Sequence, residues 1–319
     1  MSRTKLAGVL AAGALVLCAC SGTGQDSTGG DSGGADMTVA VVTHGAPEDS
    51  FWSVVQSGAE QAGTDLGVTV NYSSDPDPSG QSELIDNAVA QKVDGIVVSM
   101  ANPEGVKDSV EAAVAAGIPV VTINSGLEES KAYGAITHIG QSESLAGQAA
   151  GTKFNDLGAT KLICVIHEAG NIGLTQRCDG AAETFDGDVE TLQVNGTGAE
   201  AGTTIATKLQ SDPSIDGLLA LNGDVALRAQ QSITEQGSEV TVGTFDLSPD
   251  VIAAIQDGGI AFAIDQQPYV QGYLGVTFLY LKATNGNDVG GGQPVYSGPA
   301  LVTKDNADQV AAFAENGTR

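Results

Sequence analysis

From Met37 onward the chain alternates short apolar, β-branched runs with longer segments in which apolar residues recur every three or four positions. "MTVAVVTH" has the length and residue types of a buried strand. "FWSVVQSGAEQAGTDLG" follows with helical spacing and a glycine stop at Gly67. Next come a strand in "VTVNYSS", a helix in "SGQSELIDNAVAQK", a strand in "GIVVSM", a helix in "PEGVKDSVEAAVAAG" and a strand in "IPVVTIN". The alternation restarts at "AITHIG", then a helix over 142–157, "KLICVIHE", a helix from Leu174, "VETLQVN", a helix from Glu200, "GLLALN", a helix from Asp224 and "VTVGTFD". A tail, residues 261–319, adds the strand "AFAIDQ", a long helix from Pro268 and "SGPALVT". Strands alternating with helices of this length predict an α/β fold whose parallel sheets are covered on both faces.

The two runs can be laid on each other. "VDGIVVSM" matches "IDGLLALN", and "PVVTIN", ending at Asn124, matches "TVGTFD", ending at Asp246. One constant offset serves both pairs, which points to one βα architecture used twice. Open α/β sheets bind ligands outside the carboxyl ends of their strands. Two such lobes facing each other bring His44, Asn124, Asn222 and Asp246, all at strand ends, to one cleft. The tail is too small for a domain of its own, so it completes both lobes. The chain then crosses between them more than once, and such crossings make a hinge.

Composition adds the setting. The net charge of −26 leaves no basic groove for nucleic acid. Arg3 and Lys5 precede the apolar run "LAGVLAAGALVLCA", which is too short to span a bilayer and suits a signal-peptide core. The run ends at "LCAC", which resembles the lipobox of bacterial lipoproteins. On that reading residues 1–19 are removed, Cys20 is lipidated and becomes the first residue, and residues 20–36 form a flexible Gly/Ser/Asp tether. Cleavage nearby without a lipid is the alternative. Cys164 and Cys178 remain, an even pair that in an exported protein forms a disulfide, the alternative being two buried thiols.

Enzyme signatures are missing. The turn after the first strand, "HGAPEDSF", lacks a dinucleotide fingerprint, and no phosphate loop, His-Glu-x-x-His or nucleophile elbow occurs. His44, His138 and His167 lack zinc spacing with the cysteines, so neither a metal nor a cofactor is expected. Asp75, Asp77 and Glu83 read as a solvated turn. The only tryptophan, Trp52, stands beside Phe51 at the start of the first helix. From sequence alone the pair suits a stacking surface or plain packing of that helix equally well.

From Met37 to the final strand the chain resembles the type I periplasmic sugar-binding proteins, the substrate receptors of ATP-driven importers. The resemblance rests on "DSFW", "VDGIVVSMANPEGV" followed by "AAGIPVVTINS", "TQRCDG", "DGLLALNGDVALRA", "VTVGTFDLSPD" and "FAIDQQPYVQG", in that order and spacing. Within the family it looks most like actinobacterial members that take pentoses or short polyols. It implies two Rossmann-like lobes joined by a multi-strand hinge, the N-terminal lobe from residues 37–138 plus 265–295 and the C-terminal lobe from 139–264 plus 296–319. It also implies that Thr43, with His44 beside it, Asp49, Phe51, Trp52, Asn124, Arg177, Asn222, Asp246 and Gln266 hold the ligand. Flat aromatics cover the C–H faces of a sugar, and planar polar groups pair with its hydroxyls. Ribose-binding relatives carry Asp-Arg where this chain has Asn124-Ser125. That departure argues against ribose and leaves a pentose, pentitol or tetritol such as xylitol or threitol.

The expected protein is therefore not an enzyme. It is a monomeric lipoprotein on the outer face of the cell membrane that captures an uncharged sugar or sugar alcohol for a membrane permease. The alternative is a sensor for a sugar-like signal molecule.

Overall fold

The computed structural model describes residues 37–47 and 49–319. The signal-peptide, lipidation and tether assignments lie outside the described residues. No helix among those described is long and apolar enough to cross a membrane.

The first run folds as β1 (Thr38–Thr43), α1 (Ser50–Leu66), β2 (Thr69–Ser74), α2 (Pro78–Gln91), β3 (Gly95–Ser99), α3 (Pro103–Ala115), β4 (Val120–Ile123), α4 (Leu127–Ser130) and β5 (Thr137–Gly140). The second comprises α5 (Glu143–Asp156), β6 (Lys161–Ile166), α6 (Ile172–Thr184), β7 (Asp188–Gln193), α7 (Ala199–Ser211), β8 (Gly217–Ala220), α8 (Gly223–Gln236), β9 (Thr241–Phe245), α9 (Pro249–Asp257) and β10 (Phe262–Asp265). The tail supplies α10 (Pro268–Asn285), β11 (Val295–Tyr296), β12 (Ala300–Thr303) and α11 (Asp308–Glu315).

Two six-stranded sheets result, ordered β11-β5-β4-β3-β1-β2 and β12-β10-β9-β8-β6-β7. All pairings are parallel except β10 with β12. "AITHIG", which opens the second run in sequence, is β5 and pairs with β4 in the first sheet. Side chains along β1 alternate between two apolar clusters. Val39 and Val41 join α1 and α10 on one face, while Ala40 and Val42 join α2 and α3 on the other. A strand covered on both faces reads as a continuous apolar run.

The internal repeat extends to polar detail. Asp94 accepts a hydrogen bond from the backbone N–H of Thr38 at 2.8 Å, and Asp216 accepts one from that of Thr160 at 2.8 Å. Asn124 and Asp246, matched by the same offset, both take left-handed backbone conformations, with φ of 63° and 68°. Asn and Asp are the non-glycine residues that tolerate this region best.

Helix boundaries follow their caps. Asp49 caps α1, Asn171 caps α6, which begins at Ile172, two residues before the expected Leu174, and Asn222 caps α8, each with a side-chain oxygen on the first free N–H groups. Asp77 caps α2, and Glu83 lies within that helix, so the acidic stretch read as a solvated turn is a helix start. In the second sheet α5 and α6 touch backbone to backbone. A Cβ on Gly147 would overlap the carbonyl oxygen of Arg177, and one on Gly180 that of Ser144.

Cys164 on β6 and Cys178 on α6 are joined by a disulfide, their Cα atoms 5.7 Å apart. The bond closes a loop with a sequence separation of 14 residues. Loops of this size are worth about 3 kcal/mol in the chain-entropy description. The Cys164→Ala/Cys178→Ala variant should lose about that much stability by equilibrium denaturation. An unchanged denaturation midpoint would show that the bond contributes nothing.

Candidate functional site

The carboxyl ends of both sheets face one cleft. At its floor is a small cavity of about 30 Å³, room for about two waters. It opens toward an outer cavity of about 870 Å³, and His44, Asp49, His167, Glu168 and Asn171 line both. Nine of the ten residues expected on the cleft line the inner cavity: His44, Asp49, Phe51, Trp52, Asn124, Arg177, Asn222, Asp246 and Gln266.

Thr43 is the exception. Thr43 is fully buried, its hydroxyl 2.8 Å from that of Tyr72, while its neighbour His44 faces the cleft. The position belongs to packing of β1 on β2 rather than to the cavity wall.

Gln266 is the centre of the polar network. Its amide donates to Asp246 Oδ1 at 2.8 Å, and its carbonyl oxygen accepts from Asn124 Nδ2 at 3.0 Å. Three residues from the first sheet's end, the second sheet's end and the crossing after β10 are thereby locked together. Gln271 on α10 braces the backbone carbonyl of Gln266 at 3.1 Å.

Caps orient the other polar groups. Asn222 Oδ1 accepts from the backbone N–H of Asp224 at 2.8 Å, which leaves its amide as a donor. Asp49 Oδ1 accepts from Phe51 N at 2.9 Å. Capping and a place in the cavity wall are thus the same fact, because the cap fixes which atoms face inward. Arg177 is gripped by Glu143 through Nε at 2.6 Å and Nη2 at 3.1 Å, and its guanidinium lies 4.4 Å from the centre of the Phe245 ring.

The aromatics differ from a parallel-faced slot. Phe51 and Trp52 meet edge to face, centroids 4.9 Å apart at 88°, and Trp52 makes a similar contact with His44 at 4.6 Å. Both are over nine-tenths buried and belong to the core between α1 and its sheet as well as to the cavity wall.

Burial sets the charge states. It pushes the carboxyl of Asp246 up to about 7, with Arg177 and the Gln266 amide opposing and Asp49 and Asp265 adding repulsion. Asp49 is pushed up to about 6 by burial and by Glu168. Burial holds the His167 imidazole down at about 4 and lowers that of His44. Burial opposes the charge of Glu168, but the imidazoles of His44 and His167, the Asn171 amide and Arg177 outweigh it and hold its carboxyl below the usual range.

Residues missed in sequence include Ser125, His167, Glu168 and Asn171 on the wall and Glu143 behind it. Glu168 lies just past the end of β6, and its carboxylate comes within 3.8 Å of both His44 and His167. No group of three or more metal-ligating side chains occurs among the described residues.

Known proteins share this architecture. Residues 39–288 match the family model described as a periplasmic binding protein domain. A carbohydrate transporter from Acidothermus cellulolyticus 11B, solved in complex with myo-inositol, is 44% identical, with a TM-score of 0.87 over 89% of this chain and 99% of that one. The xylose/arabinose-binding protein XylF of Sulfolobus acidocaldarius is 29% identical over 213 residues, 61% of this chain and 53% of that protein, so that match spans about half the relative's length. The xylitol-binding protein of Mycolicibacterium smegmatis is 27% identical over 318 residues, 96% of this chain and 87% of that one. This family consists of substrate-binding proteins rather than enzymes. With its two parallel-dominated sheets, paired strand-end loops and polar cleft, the chain belongs to the periplasmic binding protein family as a type I sugar-binding protein.

Proposed function

We propose that this protein is the extracytoplasmic receptor of an ATP-driven importer and captures a neutral cyclitol, with myo-inositol as its first candidate. The observation that carries the reading is the 44% identity, over nearly all of the fold, to a protein holding myo-inositol. This moves the ligand from the five-carbon and acyclic class expected from sequence to a six-membered ring bearing a hydroxyl on every carbon. Such a ring has two C–H faces for Phe51 and Trp52. Its rim both donates and accepts, which suits the carboxylate of Asp246, the free amide of Asn222 and the remaining N–H groups of Arg177.

The inner cavity is too small for such a ring, so entry requires the lobes to part at the crossings after Gly140, Asp265 and Tyr296. A ligand touching both lobes then stabilises the closed form over the open one. In this reading Cys20 carries the lipid anchor, residues 21–36 are the tether and a membrane permease receives the ligand.

Trp52 is the only tryptophan, so its fluorescence reports on this cavity wall alone. Titration with myo-inositol should give a saturable change at micromolar or lower concentration, with weaker responses to xylitol, D-xylose and D-ribose. No fluorescence change and no thermal shift with myo-inositol would reject the cyclitol reading. A tighter response to xylitol would return the ligand to the pentitols.

A further inference from the structure

Three carboxylates, Asp49, Glu168 and Asp246, line the inner cavity together with one guanidinium, Arg177. That guanidinium is already paired. Glu143, in the first turn of α5, holds it through two charge-assisted hydrogen bonds of 2.6 and 3.1 Å, and its side chain is only 2% exposed. Gln141 donates to the same carboxylate at 2.9 Å, fixing it from the other side. Glu143 does not line either cavity. It acts on the site only through Arg177.

The two imidazoles on the wall bring no positive charge near neutrality, because burial holds both below their usual range. The inner cavity wall is therefore acidic, with its one cation already paired to Glu143. A phosphate or carboxylate ligand there would meet repulsion from the carboxylates, while the other guanidinium of the cleft, Arg228, lines only the outer cavity. A neutral polyol meets no such penalty, and an ammonium group in place of one hydroxyl meets attraction.

We propose that Glu143 is a positioning residue that sets ligand charge selectivity. By holding and cancelling Arg177 it makes the cleft admit neutral and ammonium-bearing polyols and exclude anionic ones. This rests on the proposed polyol-binding function and adds to it a determinant outside the cavity wall. Glu143 lies 34 positions from Arg177, and the contact exists only because Gly147 and Gly180 let α5 and α6 close to backbone distance.

The test uses three matched probes: myo-inositol, an aminodeoxy-inositol and myo-inositol 1-phosphate, titrated by calorimetry into the protein, Glu143→Gln and Glu143→Asp. The unaltered protein should bind the first two and take the phosphate at least about 100-fold more weakly, the scale of a unit charge brought close to a buried carboxylate. Glu143→Gln keeps the shape and one acceptor but removes the charge. It should narrow the gap between neutral and phosphate probes by about tenfold. Glu143→Asp should restore the gap.

A second readout needs no ligand. With Glu143 uncharged, the charge of Arg177 acts on the Asp246 carboxylate unopposed by Glu143, so the NMR titration midpoint of Asp246 should fall in Glu143→Gln and recover in Glu143→Asp. An equal loss of affinity for all three probes, with the Asp246 midpoint unmoved, would reduce Glu143 to a structural residue and overturn the proposal. Should myo-inositol fail to bind at all, the cyclitol reading falls, and the Asp246 midpoint still decides the role of Glu143.

Discussion

Asp246→Ala should remove ligand capture and leave the fold standing. Asp246 sits at the end of β9, and its Oδ1 is held by the Gln266 amide at 2.8 Å while the residue lines the inner cavity. Two charge-assisted hydrogen bonds from ligand hydroxyls to this carboxylate would be worth roughly two to four orders of magnitude in affinity. Alanine in a left-handed conformation costs about 1–2 kcal/mol, which a domain of ordinary stability survives. Calorimetry with myo-inositol, beside a thermal melt, checks both halves. Unchanged affinity would remove Asp246 from the site.

Asp246→Asn separates charge from shape, because asparagine suits the same backbone region and can still accept from Gln266. In the native protein burial raises this carboxyl from 3.8 to about 7. A raised acid contributes stability that is fully present below pH 3.8 and is lost as the pH rises through about 7. The difference corresponds to about 4 kcal/mol at pH 8. Asp246→Asn should therefore be more stable than the parent at pH 8, with the advantage closing toward pH 4, even as it binds ligand worse. Hydroxyl donors favour the ionised form, so the parent's affinity should rise between pH 5 and 8 with proton release on binding. Equal stability of the two proteins at pH 8 would show that the buried charge costs nothing.

Gly147→Ala should destabilise the protein strongly. The new carbon would overlap the carbonyl oxygen of Arg177, a backbone atom that cannot rotate away. Overpacking of this kind costs about 3 kcal/mol, with α5 and α6 forced apart. Because the displaced backbone is that of Arg177, its bonds to Glu143 and its place on the wall shift too, and ligand affinity should fall more than tenfold. Gly198→Ala, where an added Cβ meets nothing within 4 Å, is the control and should change stability by less than about 0.5 kcal/mol. Equal behaviour of the two variants in denaturation would mean that the helices can separate freely.

The inner strands and their ends were legible because β1, β3, β4, β6, β8 and β9 are buried on both faces, so each is a mainly apolar run closed by a polar residue. Asn124, Asn222 and Asp246 could be placed on that ground alone. The repeat was legible for the same reason, and its pairing of Asn124 with Asp246 reappears as a shared backbone conformation. The membership of β5 was not legible. Alternation gives the order of elements but not which sheet a strand joins, and pairing with β4 decides that in space. Short elements were also missed. α4, α9 and α11 span 4, 9 and 8 residues, too few turns for a clear period. Among site residues, Thr43 and His44 are adjacent yet face opposite ways, which family correspondence alone did not resolve. Glu143 and Glu168 act through contacts made by tertiary packing, and no local pattern announces them.

The order of strands has a consequence for synthesis. The first sheet waits for α10 and β11, and the second for β12, which ends at Thr303 in a chain of 319 residues. The first half cannot complete its core from the amino-terminal portion alone, because α10, which covers α1, arrives after ten of the twelve strands described. The nascent first half therefore stays unfinished until most of the chain has been made. A protein bound for the far side of a membrane gains from that delay, since an unfolded chain can be threaded through a narrow channel and a finished two-lobed one cannot.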